Sequence, residues 1–375
     1  MERDIFISGF GQTRFGEWWN KSLRDLAKEA IDEALSQSEI SPLEIDMVLV
    51  GNMIGELTND QAHLGALVSS LLPHHPPALR LEAACASGSV AIHTACSLLE
   101  SNRFSTILVV GVEKMTDSSN EQIAAALMGA ADSEKDRPSG LTFPGIFGLI
   151  ATRYIHEYGL SREDLSLVSA VHHRQAKENP YAQFRSEVSP ESVSSSTPVA
   201  DPLRLLDCSP ISDGAAAVIL STKHRSSLRV AASQVATDHV SLTDRPTITS
   251  FAASKQAMNR ALQEASLSRE QLSCLETHDC FSIAAIINLE DLGFANPGMG
   301  IEYYRDLYHS PQKVPLQINK SGGLKACGHP VAATGVKQII DISKQLQSAN
   351  TSFGIAHNFG GVGSTCGLHI IEHIL

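Results

Sequence analysis

Apolar runs alternate along this chain with stretches of helical periodicity, and the series restarts near the middle. Residues 4–9, 46–50 and 106–111 read as strands, and residues 22–36 and 60–71 as amphipathic helices. Beyond residue 214 the series resumes. AAAVILS and the RVAASQV run from near residue 229 are strands, followed by a helix over 252–265 and a strand over 274–277. A helix begins near Phe281, a Gly-rich turn spans 321–323, a helix covers 331–346, and strands lie near 352–357 and 365–371. Such alternation predicts an α/β fold, with sheets covered by helices and reactive loops where strands end. Residues 113–200, rich in small residues, loops and short helices, interrupt it. The expected organisation is a first half over 1–112, an insertion over 113–200, completion of that half over 201–224, and a similar second half over 225–375.

The stretch LRLEAACASGSVAIHTACSLLE carries the main chemical signal. Leu79–Glu82 alternate as a strand does, and Val90, Ala91, Ala95, Leu98 and Leu99 recur at helical spacing. Cys85 sits at the bend among Ala83, Ala84, Ala86, Ser87 and Gly88. A thin substrate can approach a sulfur so surrounded, and the amides of the following helix would favour a thiolate. The plain alternative is a cysteine filling a small-residue contact.

Charge and cysteine usage narrow the classes. A net charge of −12 disfavours a general binder of nucleic acid or membrane surfaces, which needs excess Lys and Arg. Seven cysteines without a CxxC pair fit a reducing compartment, so the cytoplasm is expected. The N-terminal stretch lacks the long apolar core of a signal peptide or membrane span.

Three later stretches carry proton-transfer groups: HDCF at 278–281, GHP at 328–330 and HNFGG at 357–361. His329 is a candidate base for Cys85, and Cys280 with His278 a separate acid/base pair. Amides of the Gly360–Gly361 loop are candidate oxyanion donors. The competing readings are a helix-capping His329, a core thiol at Cys280 and a plain chain turn at the glycines. No metal site is expected, because no pair has C-x₂₋₄-C spacing. No phosphate-loop motif is present, and SGG at 321–323 reads as a turn. His172, His173, Arg174 and Lys177 are cations for an anionic ligand, or a solvated helix face.

Taken together, ACASG, EKMTD, DPLRLLDCSPISDGAA, HDCF, GGLKACGHP and HNFGG resemble the thiolase superfamily in order and spacing over nearly the whole chain. HDCF and HNFGG look like its sterol-carrier-protein-type branch, and GQTRFGE and TFPGIFGLIATRYIHEYG look most like its compact archaeal and bacterial acetyl-CoA C-acetyltransferases. The resemblance implies a five-layered α-β-α-β-α fold of two similar halves with an inserted loop domain. It also implies Claisen condensation of two acetyl-CoA to acetoacetyl-CoA and CoA, reversible by thiolysis, through an acetyl-cysteine and without a metal or redox cofactor.

Carried over by residue, Cys85 matches the nucleophile, His329 its base and an oxyanion donor, and Cys280 the acid/base on the substrate methyl. His278 helps polarise the thioester oxygen, His357 and Asn358 match the last catalytic loop, and the amides of Cys85 and Gly360 form a second oxyanion hole. His173, Arg174, Lys177, Ser321 and Gly322 are the expected CoA contacts. Implied partners are acetyl-CoA, acetoacetyl-CoA and CoA, a second copy or a dimer of dimers, and 3-hydroxy-3-methylglutaryl-CoA synthase held by a zinc-ribbon and OB-fold bridging protein, feeding a mevalonate route. Three departures stand out: Ala332 where glycine is usual, Lys320 after Asn319, and His172 where asparagine is frequent. The first two are expected to add bulk near the site. A thiolase for longer 3-oxoacyl chains, another acyltransferase, and a catalytically silent scaffold are the alternatives.

Overall fold

The structure, a computed structural model describing residues 4–374, resolves the alternation into two runs of five strands. The first half contains β1 (Ile5–Gln12), α1 (Leu23–Ser36), β2 (Met47–Gly51), α2 (Gly55–Thr58), α3 (Leu64–Ser69), β3 (Ala78–Leu81), α4 (Ser87–Glu100) and β4 (Thr106–Glu113). An excursion follows: α5 (Asn120–Leu127), α6 (Phe143–Tyr158), α7 (Arg162–Ala176), α8 (Pro190–Ser195) and a hairpin of β5 (Pro198–Ala200) and β6 (Leu203–Arg204). Then β7 (Gly214–Ser221) completes the half. The second half has β8 (Leu228–Thr237), α9 (Ala252–Ala265), β9 (Leu272–Thr277), α10 (Ser282–Asp291), α11 (Gly300–His309) and β10 (Gln317–Ile318). It ends with α12 (Gly323–Cys327), α13 (Thr334–Ala349), β11 (Phe353–Gly360) and β12 (Thr365–His373).

The strand order is β3-β2-β4-β7-β1 in one half and β10-β9-β11-β12-β8 in the other. Numbered within each half, both read 3-2-4-5-1, with matching parallel and antiparallel pairs. Among the described residues the halves meet edge to edge where Ile5 pairs with Val230 and Phe6 with Arg229.

Side-chain alternation sets the layers. Val48, Val50, Leu108, Val110, Ala217 and Ile219 face one way, onto α1 and α3. Leu49, Ile107, Val109, Val218 and Leu220 face the other way, onto α4 and α13, which also meet Cys274, Ala356 and Ile371 of the second sheet. The outer face of that sheet packs on α9, α10 and the excursion. Helix, sheet, helix pair, sheet and helix make the five layers that the resemblance implies. The Ser22–Asp25 capping box starts α1, and such a cap contributes about 1 kcal/mol.

Three expectations change. The helix expected over 60–71 is only α3, because Asp60 takes a left-handed φ of 52° and breaks it from α2. Residues 113–200 are less loop-like than expected and hold two long helices. In α6 the small residues serve close packing, since a Cβ at Gly148 would lie 3.0 Å from the Ala200 and Asp201 carbonyls. Helix α13 starts at Thr334 rather than residue 331, after a turn beginning at Pro330. Among the described residues no helix is long and apolar enough to cross a membrane.

Candidate active site

Strand β3 delivers the chain to Cys85 through an elbow at Ala84, whose φ of 52° is left-handed and strained for a residue with a Cβ. One hydroxyl closes the bend: Ser87 Oγ accepts from the Ala83 amide at 2.9 Å and donates to the Ala84 carbonyl at 2.6 Å. The neighbouring loop fits only because Gly360 lacks a side chain. A Cβ there would stand 2.3 Å from the Ala83 carbonyl oxygen. Gly361, with φ of 62°, turns its amide onto the Cys85 sulfur. The Gly361 amide thus reaches the sulfur itself.

His278 and His329 arrive from the second half. Asn288 donates to the His278 carbonyl at 2.7 Å, and the Asn358 amide nitrogen lies 2.8 Å from His278 Nδ1. Asp279 caps α12 from outside it, accepting from the Leu324 amide at 2.7 Å and the Lys325 amide at 3.3 Å. That joins HDCF to GGLKAC and sets the turn at Gly328. His329 follows, its amide donating to Ser212 Oγ at 3.0 Å and its Nδ1 2.7 Å from Thr334 Oγ1. The two imidazoles stand edge to face, centroids 4.9 Å apart. Ligand-type atoms of Cys85, His278 and His329 all lie within 4.8 Å of one another.

Cys85 and His329 open on a cavity of about 240 Å³. Cys85, Cys280 and His329 contribute to its wall, and Leu127, Phe143, Phe147 and Phe281 make much of the rest apolar. Phe147 stacks on Phe281 at 4.5 Å. Burial pushes the Cys85 thiol up to about 12, aided by the Glu113 and Glu82 charges against the Gly361 hydrogen bond. Burial likewise raises Cys280. It lowers His329 to about 4, and holds His278 well below the usual imidazole range with help from His329 and His357. At rest the pair is thus a thiol facing a neutral imidazole, not the thiolate expected from the helix amides.

Some expected site residues stand elsewhere. On β11, Asn358 faces the site while His357 points to the opposite face of the sheet. There His357 holds Ser254 and Thr277 at 2.8 Å each. It positions the strand and does not touch the cavity. Ser321 is committed to buried Glu276, donating through its amide at 3.0 Å and its hydroxyl at 2.7 Å. Gly322, at φ 107°, packs on Ala176. His173 Nδ1 meets the Ser186 carbonyl at 3.2 Å, and Arg174 donates to the Leu307 and Tyr308 carbonyls. Lys177 pairs with Glu187 on the surface. None of these five lines the cavity. His172 is buried with Nδ1 2.8 Å from Asp279, so it supports HDCF from behind. Ala332 is packed where its carbonyl meets Gly88 and Gly111, and Lys320 is exposed; neither adds bulk to the cavity.

Residues without an assigned role in the sequence reading matter here. Glu113 of the EKMTD stretch accepts from Asn52, Met53, Ile54 and Ala332, binding the ends of β2 and β4 to the turn after His329. Lys114 and Asp213 form a buried pair at 2.8 Å that joins EKMTD to SPISDG. Thr334 is the other addition, and only its place five residues after His329 was legible.

The comparisons agree with this architecture. Residues 5–224 match the family described as thiolase, N-terminal domain, and residues 234–373 the thiolase C-terminal domain-like family. The chain is 40% identical to an acetyl-CoA acetyltransferase of Methanothermobacter thermautotrophicus, covering 99% of this chain and 100% of that one. It is 39% identical to the protein of that name from Methanocaldococcus jannaschii, over 99% of each. It is also 30% identical to benzoylsuccinyl-CoA thiolase subunit BbsB of Thauera aromatica, over 93% of this chain and 90% of that one. Among solved structures, a chain of the Ltp2-ChsH2(DUF35) aldolase superposes with a TM-score of 0.82 at 18% identity, covering 99% and 98%. The acetyl-CoA acetyltransferase from Syntrophomonas wolfei gives 0.76 at 16% identity over the whole of both chains. Repeated halves, a cysteine elbow faced by two histidines, and two family matches that together span nearly the whole chain place this protein in the thiolase family.

Proposed function

We propose that this thiolase, an acyltransferase by family, condenses two acetyl-CoA into acetoacetyl-CoA and CoA and catalyses the reverse thiolysis. One observation carries the reading: a thiol and two imidazoles converge within 4.8 Å at a cavity that a second thiol also lines. His329 Nδ1 donates to Thr334 Oγ1, whose own proton points to the Pro330 carbonyl at 3.4 Å. Its Nε2 is left as a base. In the first step Cys85 attacks the thioester carbon, its proton passes to His329 Nε2, and CoA leaves with that proton. In the second step the Cys280 thiol passes its proton to His329 Nε2 and, as a thiolate, takes a proton from the methyl of the next acetyl-CoA, while His278 Nε2–H holds the developing enolate oxygen. The carbanion attacks the acetyl-cysteine, and the Cys85 sulfur leaves, taking the proton held by His329 and restoring the resting thiol.

Two full-length relatives named acetyl-CoA acetyltransferase support acetyl as the acyl group. The apolar wall of Leu127, Phe143 and Phe147 favours a second reading, a thiolase of longer 3-oxoacyl chains. Thiolysis rates across chain lengths separate them. Mass spectrometry after incubation with acetyl-CoA tests the mechanism: a 42-Da acetyl adduct (about 42, the mass of C₂H₂O) is expected on Cys85 and absent from Cys85→Ala, with acylation retained in Cys280→Ala. An adduct elsewhere overturns the assignment.

The cytoplasm, a homodimer or dimer of dimers, and an assembly with 3-hydroxy-3-methylglutaryl-CoA synthase through a bridging protein belong to the same proposal. Co-elution of the co-expressed proteins is the expected outcome.

A further inference from the structure

Two imidazole nitrogens at this site have no hydrogen-bond partner among the described residues. His278 Nε2 and His329 Nε2 are buried without a hydrogen bond, while each Nδ1 is held, by Asn358 and Thr334 respectively. One ring nitrogen of each histidine and Cys85 Sγ lie within 4.8 Å of one another, and with both Nδ1 atoms held the Nε2 atoms are the ones left to bind. We propose that Cys85 Sγ, His278 Nε2 and His329 Nε2 form a three-ligand site for Zn²⁺ or a similar borderline divalent cation, and that its occupation blocks thiol chemistry at Cys85.

The bond lengths set the demand. Zn–S of about 2.3 Å and Zn–N of about 2.0–2.1 Å place tetrahedral ligand atoms roughly 3.3–3.7 Å apart. Closing from 4.8 Å or less needs side-chain shifts on the order of 1 Å, within reach of rotation about side-chain bonds. The set mixes one thiolate with two imidazoles, which suits zinc, and the fourth position opens on the cavity, where a water would complete it. His278 can switch from donor to ligand. Asn358 Oδ1 is buried without a partner among the described residues, so turning the amide lets that oxygen accept a hydrogen bond from His278 Nδ1–H once the ring proton has moved there, which frees the Nε2 lone pair. Carboxylates offset the charge: Glu113 and Glu82 act on Cys85, and Asp279 on His329. The balance is simple: one cation enters, the sulfur–metal bond forms, and the thiol proton leaves to solvent. Sequence spacing hides the site because its ligands come from three separate loops.

The inference requires nothing of the acyl substrate, so its test is independent of turnover. The metal-free full chain is titrated with Zn²⁺ alone and with Co²⁺ alone, with calorimetry, proton release and near-ultraviolet absorption as readouts. Expected are one equivalent per chain, release of about one proton per site at pH 7, and a cobalt–thiolate charge-transfer band. Cys85→Ser and His278→Ala each weaken binding at least 100-fold, and on the unmodified chain Zn²⁺ slows iodoacetamide alkylation of Cys85. That last readout holds even if a variant fails to fold. Binding unchanged in folded Cys85→Ser, or lost on Cys280→Ser instead, overturns the site. So does alkylation of Cys85 at the same rate with and without zinc.

Discussion

His278 and His329 share a residue type and a neighbourhood, yet their Nδ1 partners sort them into a donor and a base. Asn358 offers an amide to one, and Thr334 offers a hydroxyl oxygen to the other. Expected from Asn358→Ala is a fall in kcat of about 10–100-fold with little change in KM, because the ring loses the bond that fixes its tautomer. Steady-state kinetics on the folded variant checks this. The neutral resting pair makes a second claim. With the Cys85 thiol raised to about 12 and His329 lowered to about 4, no ion pair exists between those values in the free protein. Thiolate therefore grows with pH, and iodoacetamide alkylation of Cys85 should rise about tenfold per pH unit from 6 to 9. A plateau near neutrality would falsify the neutral-pair assignment.

At the scale of elements, the catalytic loops are held by missing side chains. Gly88 of α4 lies against the Ala332 carbonyl, where a Cβ would come within 2.3 Å, and Gly335 of α13 lies against the Ser89 amide, within 2.6 Å. The N-termini of the two central helices cross on these residues, which brings the Cys85 elbow beside the His329 turn. Gly360 does the same for the loop after β11. Gly360→Ala is expected to cost about 1–3 kcal/mol by overpacking, lowering the melting temperature by several degrees and reducing acylation of Cys85. Calorimetry and mass spectrometry of the adduct read both effects.

For the whole molecule, buried histidines dominate the acid side of stability. His278, His329, His357 and His369 are all held neutral by burial, below the ordinary imidazole value. Unfolding lets each take up a proton near pH 6.5, so the unfolded chain gains protons and stability falls as pH drops from about 6.5 toward 4. Glu113 and Glu276, raised to about 7 chiefly by burial, act oppositely, since their folded forms hold protons between about 4.5 and 7. His93 and His173 are lowered by burial as well, and Glu290 and Asp291 raised by it, so six groups outweigh four. The melting temperature should decline from pH 7 to pH 5, as scanning calorimetry in matched buffers would show, and a rise over that interval would contradict the burial of these rings.

The strand–helix alternation, the repeat in two halves and the elbow at Cys85 were determined by the sequence itself, because side-chain periodicity and small residues act over a few neighbours. HDCF and GHP were legible as loops carrying proton-transfer groups for the same local reason, whereas most of HNFGG lies on strand β11. What only the tertiary structure decided is direction and company. Whether His357 or Asn358 faces the site depends on which side of β11 meets the cavity, and whether Ser321 meets a ligand or Glu276 depends on a residue 45 positions away. The cavity wall of Leu127, Phe143 and Phe147 comes from helices of the excursion laid over the loops of both halves. Those long-range contacts exclude water, and it is that exclusion which moves the thiol up and the imidazoles down; no stretch of sequence carries it alone.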